Sequence, residues 1–252
     1  MRYHPRIWAG LLVWALASPA LAGIMVTSYQ TLALTNAFAP LSQTEYFAQH
    51  TLVNVSPALA EVSGDWMGTN SGGSTNTWHF VGQSSATSTT TFNADTLTVT
   101  ASGSFAYEIN TTAEFVDPRS SDIYSPSGAA NYEALFNTDV PMTYMITAQL
   151  NQRGRVRLSS FNGEVVLDVV NPGPAPLLVD RAGTIPAGHY DFLASTSLIA
   201  SNLPNGINHY ARSGGFGKLI FTVQVPEPSA LAALIGMLGM ILRGPRRCVC
   251  TQ

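Results

Sequence analysis

A few sets of side chains in this sequence could do chemistry. Asp65, Glu108, Glu114, Asp168 and Asp191 are carboxylates of its central part. Two Asp or Glu at the right separation suffice to hydrolyse a glycoside, so a hydrolase would draw on these. Trp66 and Trp78 suggest a different chemistry, because sugar rings present apolar C–H faces that stack on aromatic side chains. With Tyr124 and Tyr132 they make a candidate glycan platform. Against it stands the ordinary use of tryptophan, which fills the core of a β-sandwich. Arg153, Arg155 and Arg157 alternate, which puts all three on one strand face. There they would meet an anionic polysaccharide or an acidic protein, or guard a solvated edge strand. The last set is Pro226-Glu227-Pro228-Ser229. Its two prolines fix backbone angles and remove amide donors, which keeps the stretch extended around a central carboxylate. That is the form a protease lays into its cleft.

Several other chemistries lack their residues. The chain has no His-Glu-x-x-His, Gly-x-Ser-x-Gly, calcium-loop or phosphate-loop pattern. His50, His79, His189 and His209 are scattered and read as turn or surface residues. The only cysteines, Cys248 and Cys250, stand beyond the last apolar run. Two thiols make a poor metal site, so neither a metal nor a cofactor is expected. The full chain carries a formal charge of −3, but this figure hides an uneven distribution. Between Gly23 and Val225 only seven basic side chains stand against fourteen carboxylates. An acidic body argues against nucleic acid, which needs a basic footprint.

Both ends carry addresses. Arg2 and Arg6 precede an apolar run of 11 residues, Ile7 to Ala17, followed by Pro19-Ala20-Leu21-Ala22-Gly23. This is the layout of a secretory signal peptide. The run is far short of the ~20 residues that span a bilayer. Ala20 and Ala22 supply the small-x-small pattern, so residues 1–22 are expected to be removed by signal peptidase, leaving Gly23 first. At the other end, Ser229 to Leu242 is apolar except for Ser229, Gly236 and Gly239, and stops at Arg243, Arg246 and Arg247. Fourteen residues make a marginal span, lengthened somewhat when Arg243 snorkels to the interface. The basic cluster favours the cytoplasmic side, which places the body outside.

Residues 225–247, with Val225-Pro226-Glu227-Pro228-Ser229, a short apolar helix and a terminal arginine cluster, resemble the PEP-CTERM sorting signal. The tail 248–252 departs from it, since many members end almost directly on arginines. The resemblance implies an exported protein of an exopolysaccharide-making, Gram-negative-type bacterium. It also implies recognition by an exosortase, a multi-pass membrane cysteine protease that cuts near Pro226, Glu227 and Pro228. An inner-membrane intermediate would then pass to the cell surface or extracellular matrix. The resemblance covers only the sorting signal and implies nothing about the body.

The elements that must position any site are strands. Tyr144, Ile146, Ala148 and Leu150 alternate with more polar neighbours, as do Val156 and Leu158 with the arginines. Asn151 to Gly154 reads as a hairpin connection between those two runs. Phe105, Tyr107 and Ile109 alternate likewise, as do Leu97 with Val99 and Leu219, Phe221 and Val223. The segment Ser63 to Thr91 is rich in Ser, Thr and Gly and reads as a mobile region or an exposed hairpin. A short helix is allowed over Leu41–Asn54, and one helical turn over Ala130–Phe136. The expected fold is all-β: a single sandwich or jelly roll over 23–224, flanked by a signal-peptide helix and a C-terminal transmembrane helix. The expected function is a non-catalytic surface or matrix module. Its partners would be the secretion machinery, an exosortase, the membrane before processing, and an exopolysaccharide through Trp66 and Trp78. The alternative is a glycan hydrolase using the same address.

Overall fold

The structure is a computed structural model that describes residues 23–39, 44–70, 76–113, 124–199 and 209–226. The expected signal peptide with Ala20 and Ala22 lies outside the described residues. So do Glu114, Glu227, Pro228, Ser229, the apolar run, and Arg243, Arg246 and Arg247. The described residues form twelve strands and no helix. In chain order these are β1 (Ile24–Ala39), β2 (Thr44–Val53), β3 (Ala58–Asn70), β4 (Asn76–Phe92), β5 (Thr96–Ala113) and β6 (Tyr124–Thr138). They continue with β7 (Met142–Leu150), β8 (Gly154–Ser160), β9 (Val165–Val170), β10 (Leu177–Ile185), β11 (Gly188–Ile199) and β12 (His209–Gln224).

The strands make two antiparallel six-stranded sheets. The first has the order β2-β1-β6-β11-β8-β9 and the second β10-β7-β12-β5-β4-β3. Within them β5 pairs with β12, β6 with β11, β7 with β10 and β8 with β9. This nesting is that of a hairpin of strands rolled into two layers, the jelly-roll arrangement. The hairpin β1–β2 widens the first sheet beside β6, and β3–β4 widens the second beside β5.

Three local expectations are corrected. Residues 44–53 form a strand in place of a short helix: Glu45 and Phe47 point out while Tyr46 packs inward on Trp66 and Trp78. Ala130–Phe136 is the middle of β6. Ala130, Tyr132, Ala134 and Phe136 are all buried there, a period of two that outweighs the helix propensity of Ala and Glu. Asn151–Gly154 joins β7 to β8, but those strands lie in different sheets, so the turn arches across the sandwich. Buried Asn171 braces it, donating through Nδ2 to Leu150 O (2.8 Å) and Ala175 O (2.7 Å).

The interior divides in two. One part is aromatic and aliphatic, centred on Phe192 stacked on Phe221 at 3.9 Å, with Phe136, Tyr132, Leu219 and Ile146 around them. The other gathers Trp78, Phe80, Phe105, Tyr107 and Ile109 under Tyr46 and Trp66. Where β1 and β6 face β4, small polar groups replace large apolar ones and bond across the sheets. Thr31 Oγ1 lies 2.6 Å from Ser88 Oγ, Ser84 Oγ donates to Leu34 O at 2.6 Å, and Thr90 Oγ1 lies 2.6 Å from Tyr132 Oη. Each such bond contributes ~0.5–1.5 kcal/mol net and would cost more if one partner were left alone.

Candidate functional site

Strand alternation separates the Ser/Thr-rich sequence into two populations. On β4, Trp78, Phe80, Ser84, Ala86, Ser88 and Thr90 are buried, so Gln83, Ser85, Thr87 and Thr89 point out of the second sheet. On β5 the inward set is Leu97 to Ile109, and Ser102, Ser104, Ala106 and Glu108 point out. The segment 63–91 is thus a β3–β4 hairpin.

Register lines the outward residues into rows across β3, β4, β5 and β12. One row is Met67, His79, Asn110 and His209; the next is Asp65, Val81, Glu108 and Ala211. Then come Ser63, Gln83, Ala106 and Ser213, followed by Glu61, Ser85 and Ser104. These rows floor an open hollow of about 570 Å³, lined by Glu61, Ser63, Gln83, Ser85, Ser104 and Ser213. A second hollow of about 440 Å³ shares Gln83, Ala106 and Ser213 with it and reaches Glu108, Gln152 and Arg212. A third of about 440 Å³, between Thr87, Thr89, Thr100, Ser102 and Lys218, continues along the same face. From Val81 to Thr89 this trough runs ~27 Å along the strands.

The polar ends of the trough are fixed by local bonds. His79 Nε2 donates to Asp65 Oδ1. His209 Nδ1 lies 2.7 Å from Asn110 Oδ1 and 3.4 Å from Glu108 Oε1, and Asn110 Nδ2 donates to that same carboxylate oxygen at 2.9 Å. Amide and carboxylate oxygens only accept, so Nδ1 carries the proton. Arg212 Nε donates to Tyr210 Oη at 3.0 Å, with the guanidinium 5.2 Å from that ring's centre. Burial pushes the Tyr107 phenol up, and the neighbouring Tyr210 adds to the shift.

The remaining candidate residues fall as follows. Trp78 is a core residue, 3% exposed, with Tyr46 edge-on at 5.1 Å. Tyr132 is fully buried against Phe192. Trp66 is half-buried, stacked on Phe80 at 5.4 Å on the inner side of β3. These three rings therefore form no common outward platform, and among the described residues no Trp, Tyr or Phe points out of the second sheet's troughed face. Asp65 and Glu108 do come together in one row, two strand spacings or ~10 Å apart between Cα atoms. Asp168 and Asp191 lie on the first sheet instead. Asp168 accepts both Nε (2.8 Å) and Nη2 (2.5 Å) of Arg155, whose guanidinium holds its carboxyl below the usual range. Burial, with Glu133 nearby, pushes Asp191 up, and Arg157 opposes this. Arg155 and Arg157 share an outward face, but Arg153 sits in the arch with φ +65° and leaves the stripe. The four histidines stand on strands rather than turns, with His50 on β2 and His189 on β11. Gly23 and exposed Pro226 bound the described body. Sequence reasoning missed Glu61, Gln83, Ser85, Ser104 and Ser213. Residue types could not find the outward set of β4, because outward Ser85, Thr87 and Thr89 and inward Ser84, Ser88 and Thr90 are alike. Only burial in the folded strand separates them.

Among the described residues no three His, Cys, Asp or Glu converge as metal ligands. No family model matches the chain, and no curated protein is similar to it. Among solved structures it is similar to a GH31 alpha-xylosidase from Xanthomonas citri, at 10% identity and a TM-score of 0.21. That match covers 81% of this chain and 32% of the xylosidase, so the chain spans about a third of that protein's length. It is also similar to a structure of infectious bursal disease virus, Gx strain, at 9% identity and a TM-score of 0.15, covering 88% of this chain and 73% of that one. At such scores neither carries an argument about function.

Proposed function

We propose that this is an exported protein of the cell surface or exopolysaccharide matrix whose body binds polysaccharide without cleaving it. Its address is the PEP-CTERM-like segment 225–247, processed by an exosortase near Pro226-Glu227-Pro228 after signal peptidase has cut at Ala22. The observation that carries the binding half is the open polar trough on the second sheet. It is several times longer than one sugar unit and lined by hydroxyls and amides, with Glu61, Glu108, Arg212 and Lys218 along it. Such a surface recognises a neutral, hydroxyl-rich chain by many modest hydrogen bonds. Glu61 and Glu108 offset Arg212 and Lys218 along it, so the trough has no excess of positive charge to hold an anionic one.

A glycan array with the mature body tests this. Gln83→Ala and Ser104→Ala should each weaken binding about 3- to 10-fold, the worth of one hydrogen bond. Binding unchanged by both would reject the trough. Mass spectrometry of the surface-displayed protein tests the address. Glu227→Ala should leave precursor in the inner membrane, and recovery of Cys248–Gln252 from the outer surface would refute sorting. A hydrolase reading rests on Asp65 and Glu108 sharing a row two strands apart, since inverting glycosidases need two carboxyl groups facing each other at ~6.5–9.5 Å. Release of reducing ends, abolished by Glu108→Gln, would favour it.

A further inference from the structure

Ile24 and Val225 stand at opposite ends of the described chain, yet both are fastened to one turn. The Ile24 N–H donates to Ala94 O at 2.8 Å, and the Val225 N–H donates to Asp95 O at 3.0 Å. These are consecutive carbonyls of the β4–β5 turn. Gly23 O accepts the Asp139 N–H of the β6–β7 turn at 3.3 Å, at the same pole. The chain therefore joins and leaves the sandwich at one end.

There is little slack on either side. Gly23 is the first residue after the expected signal-peptide cut. Only Pro226, Glu227 and Pro228 separate Val225 from the apolar run that begins at Ser229. Three extended residues reach ~10 Å, and the polar headgroup layer on each side of a bilayer is ~5–8 Å thick. With the run in the bilayer, this short tether keeps the pole within a few ångströms of the headgroup layer.

The surface at that pole is apolar for a soluble body. Met25 is 61% exposed, Phe92 at the end of β4 is 51% exposed, and Phe161 in the β8–β9 turn is 68% exposed. Met25 and Phe161 bracket one outward row, Met25, Asn137 and His189, with Phe161 edge-on to His189 at 6.3 Å. The charged groups nearby are the carboxylates Asp95, Asp139 and Glu164, which make an anionic lipid surface a poor match. Arg153 and Arg212 lie toward the opposite pole, where Gln152 O accepts from Gly215 and β7 arches to β8.

We propose that this pole is a docking surface for a zwitterionic bilayer, an inference that rests on the sorting reading above. The precursor sits with Met25, Phe92 and Phe161 in the headgroup region. That posture presents both processing sites to membrane enzymes and points the long axis of the trough away from the lipid. Once the tether is cut, three side chains beside an acidic surface hold weakly, and the body leaves.

The test uses the full chain with Cys248→Ser and Cys250→Ser in phosphatidylcholine vesicles; the body has no other cysteine. Single cysteines at Met25→Cys, Phe92→Cys, Phe161→Cys and Gln152→Cys carry an environment-sensitive fluorophore. The first three should shift to shorter wavelength and be quenched by a headgroup-linked nitroxide, while Gln152→Cys should show neither. If the chain floats with the vesicles but all four labels report water, or all four report lipid, the docking surface is refuted and the anchor stands. If the chain does not float with the vesicles, the anchor reading fails and this inference fails with it.

Discussion

Replacing Gly68 with alanine tests whether Trp78 is built into the fold. Gly68 stands opposite Trp78 in the β3–β4 pair, and the indole lies over the glycine. A Cβ there would fall 2.7 Å from Trp78 Nε1 and closer still to Cζ2 and Cε2. The ring has little room to slide, since it is 3% exposed and Tyr46 closes one side at 5.1 Å. Complete expulsion would forfeit the burial of 150–250 Å², ~4–6 kcal/mol as an upper bound. A shift within the pocket costs ~1–3 kcal/mol, as overpacking does. Because β3 is an edge strand and can yield, the expected loss is about 2 kcal/mol. For a body of ~200 residues that lowers Tm by about 4–8 °C. Thermal unfolding measures the loss, and tryptophan emission locates it, since Trp66 and Trp78 are the only tryptophans of the body. In a Trp66→Phe background the emission of Trp78 should move to longer wavelength on Gly68→Ala. An unchanged Tm with unchanged emission would refute the slot and return Trp78 to the candidates for sugar contact.

Two further predictions concern buried polar groups. Tyr132→Phe and Thr90→Val should each cost ~1–3 kcal/mol by stranding the other hydroxyl, while the double variant costs clearly less than their sum in urea titrations. Strict additivity would show that the two do not form a pair. Asp191→Asn should raise stability at neutral pH. Burial and Glu133 raise the folded carboxyl's pKa, so the wild-type fold loses stability as pH climbs from the unfolded value of about 3.9 through the raised one. The difference between Asp191→Asn and wild type should vanish below that window, and a gap that persists there would assign the gain to something other than ionisation.

The strands were legible where large apolar residues alternate with polar ones, as in Phe105, Tyr107 and Ile109 or Leu219, Phe221 and Val223. They were illegible where the inward residues are themselves small or polar. In β4 the inner set Ser84, Ser88 and Thr90 has the same composition as the outer set Ser85, Thr87 and Thr89. Only bonds made across to β1 and β6 tell the two apart, and those partners are 42 to 57 residues away in sequence. The arch at Asn151–Gly154 failed for a related reason. Turn chemistry shows that the chain reverses, but whether it stays in one sheet depends on β10 and β12 closing around β7. For the site, the tryptophans misled because stacking chemistry and core filling call for the same residue. The carboxylates Asp65 and Glu108 were named, but their shared row exists only through β4 lying between them.

One physical economy links the two halves of the molecule. A sandwich whose layers are joined partly by hydroxyl pairs needs fewer large apolar side chains, and the same Ser/Thr-rich strands then offer hydroxyls on the outside. The inner bonds fix the register, because a one-residue slip of β4 would turn Ser84, Ser88 and Thr90 outward and bury Gln83, Ser85 and Thr87 in their place. A slipped Gln83 would have to fit beside Thr35 and Leu34 in the space that the Ser84 hydroxyl fills, an overpacking cost of ~1–3 kcal/mol that hydroxyl-for-hydroxyl exchange elsewhere does not offset. Gln83 is thus a register lock as well as the centre of the trough. Its replacement by Ser should weaken glycan binding and loosen the strand together, and a variant that weakened only binding would separate the two roles.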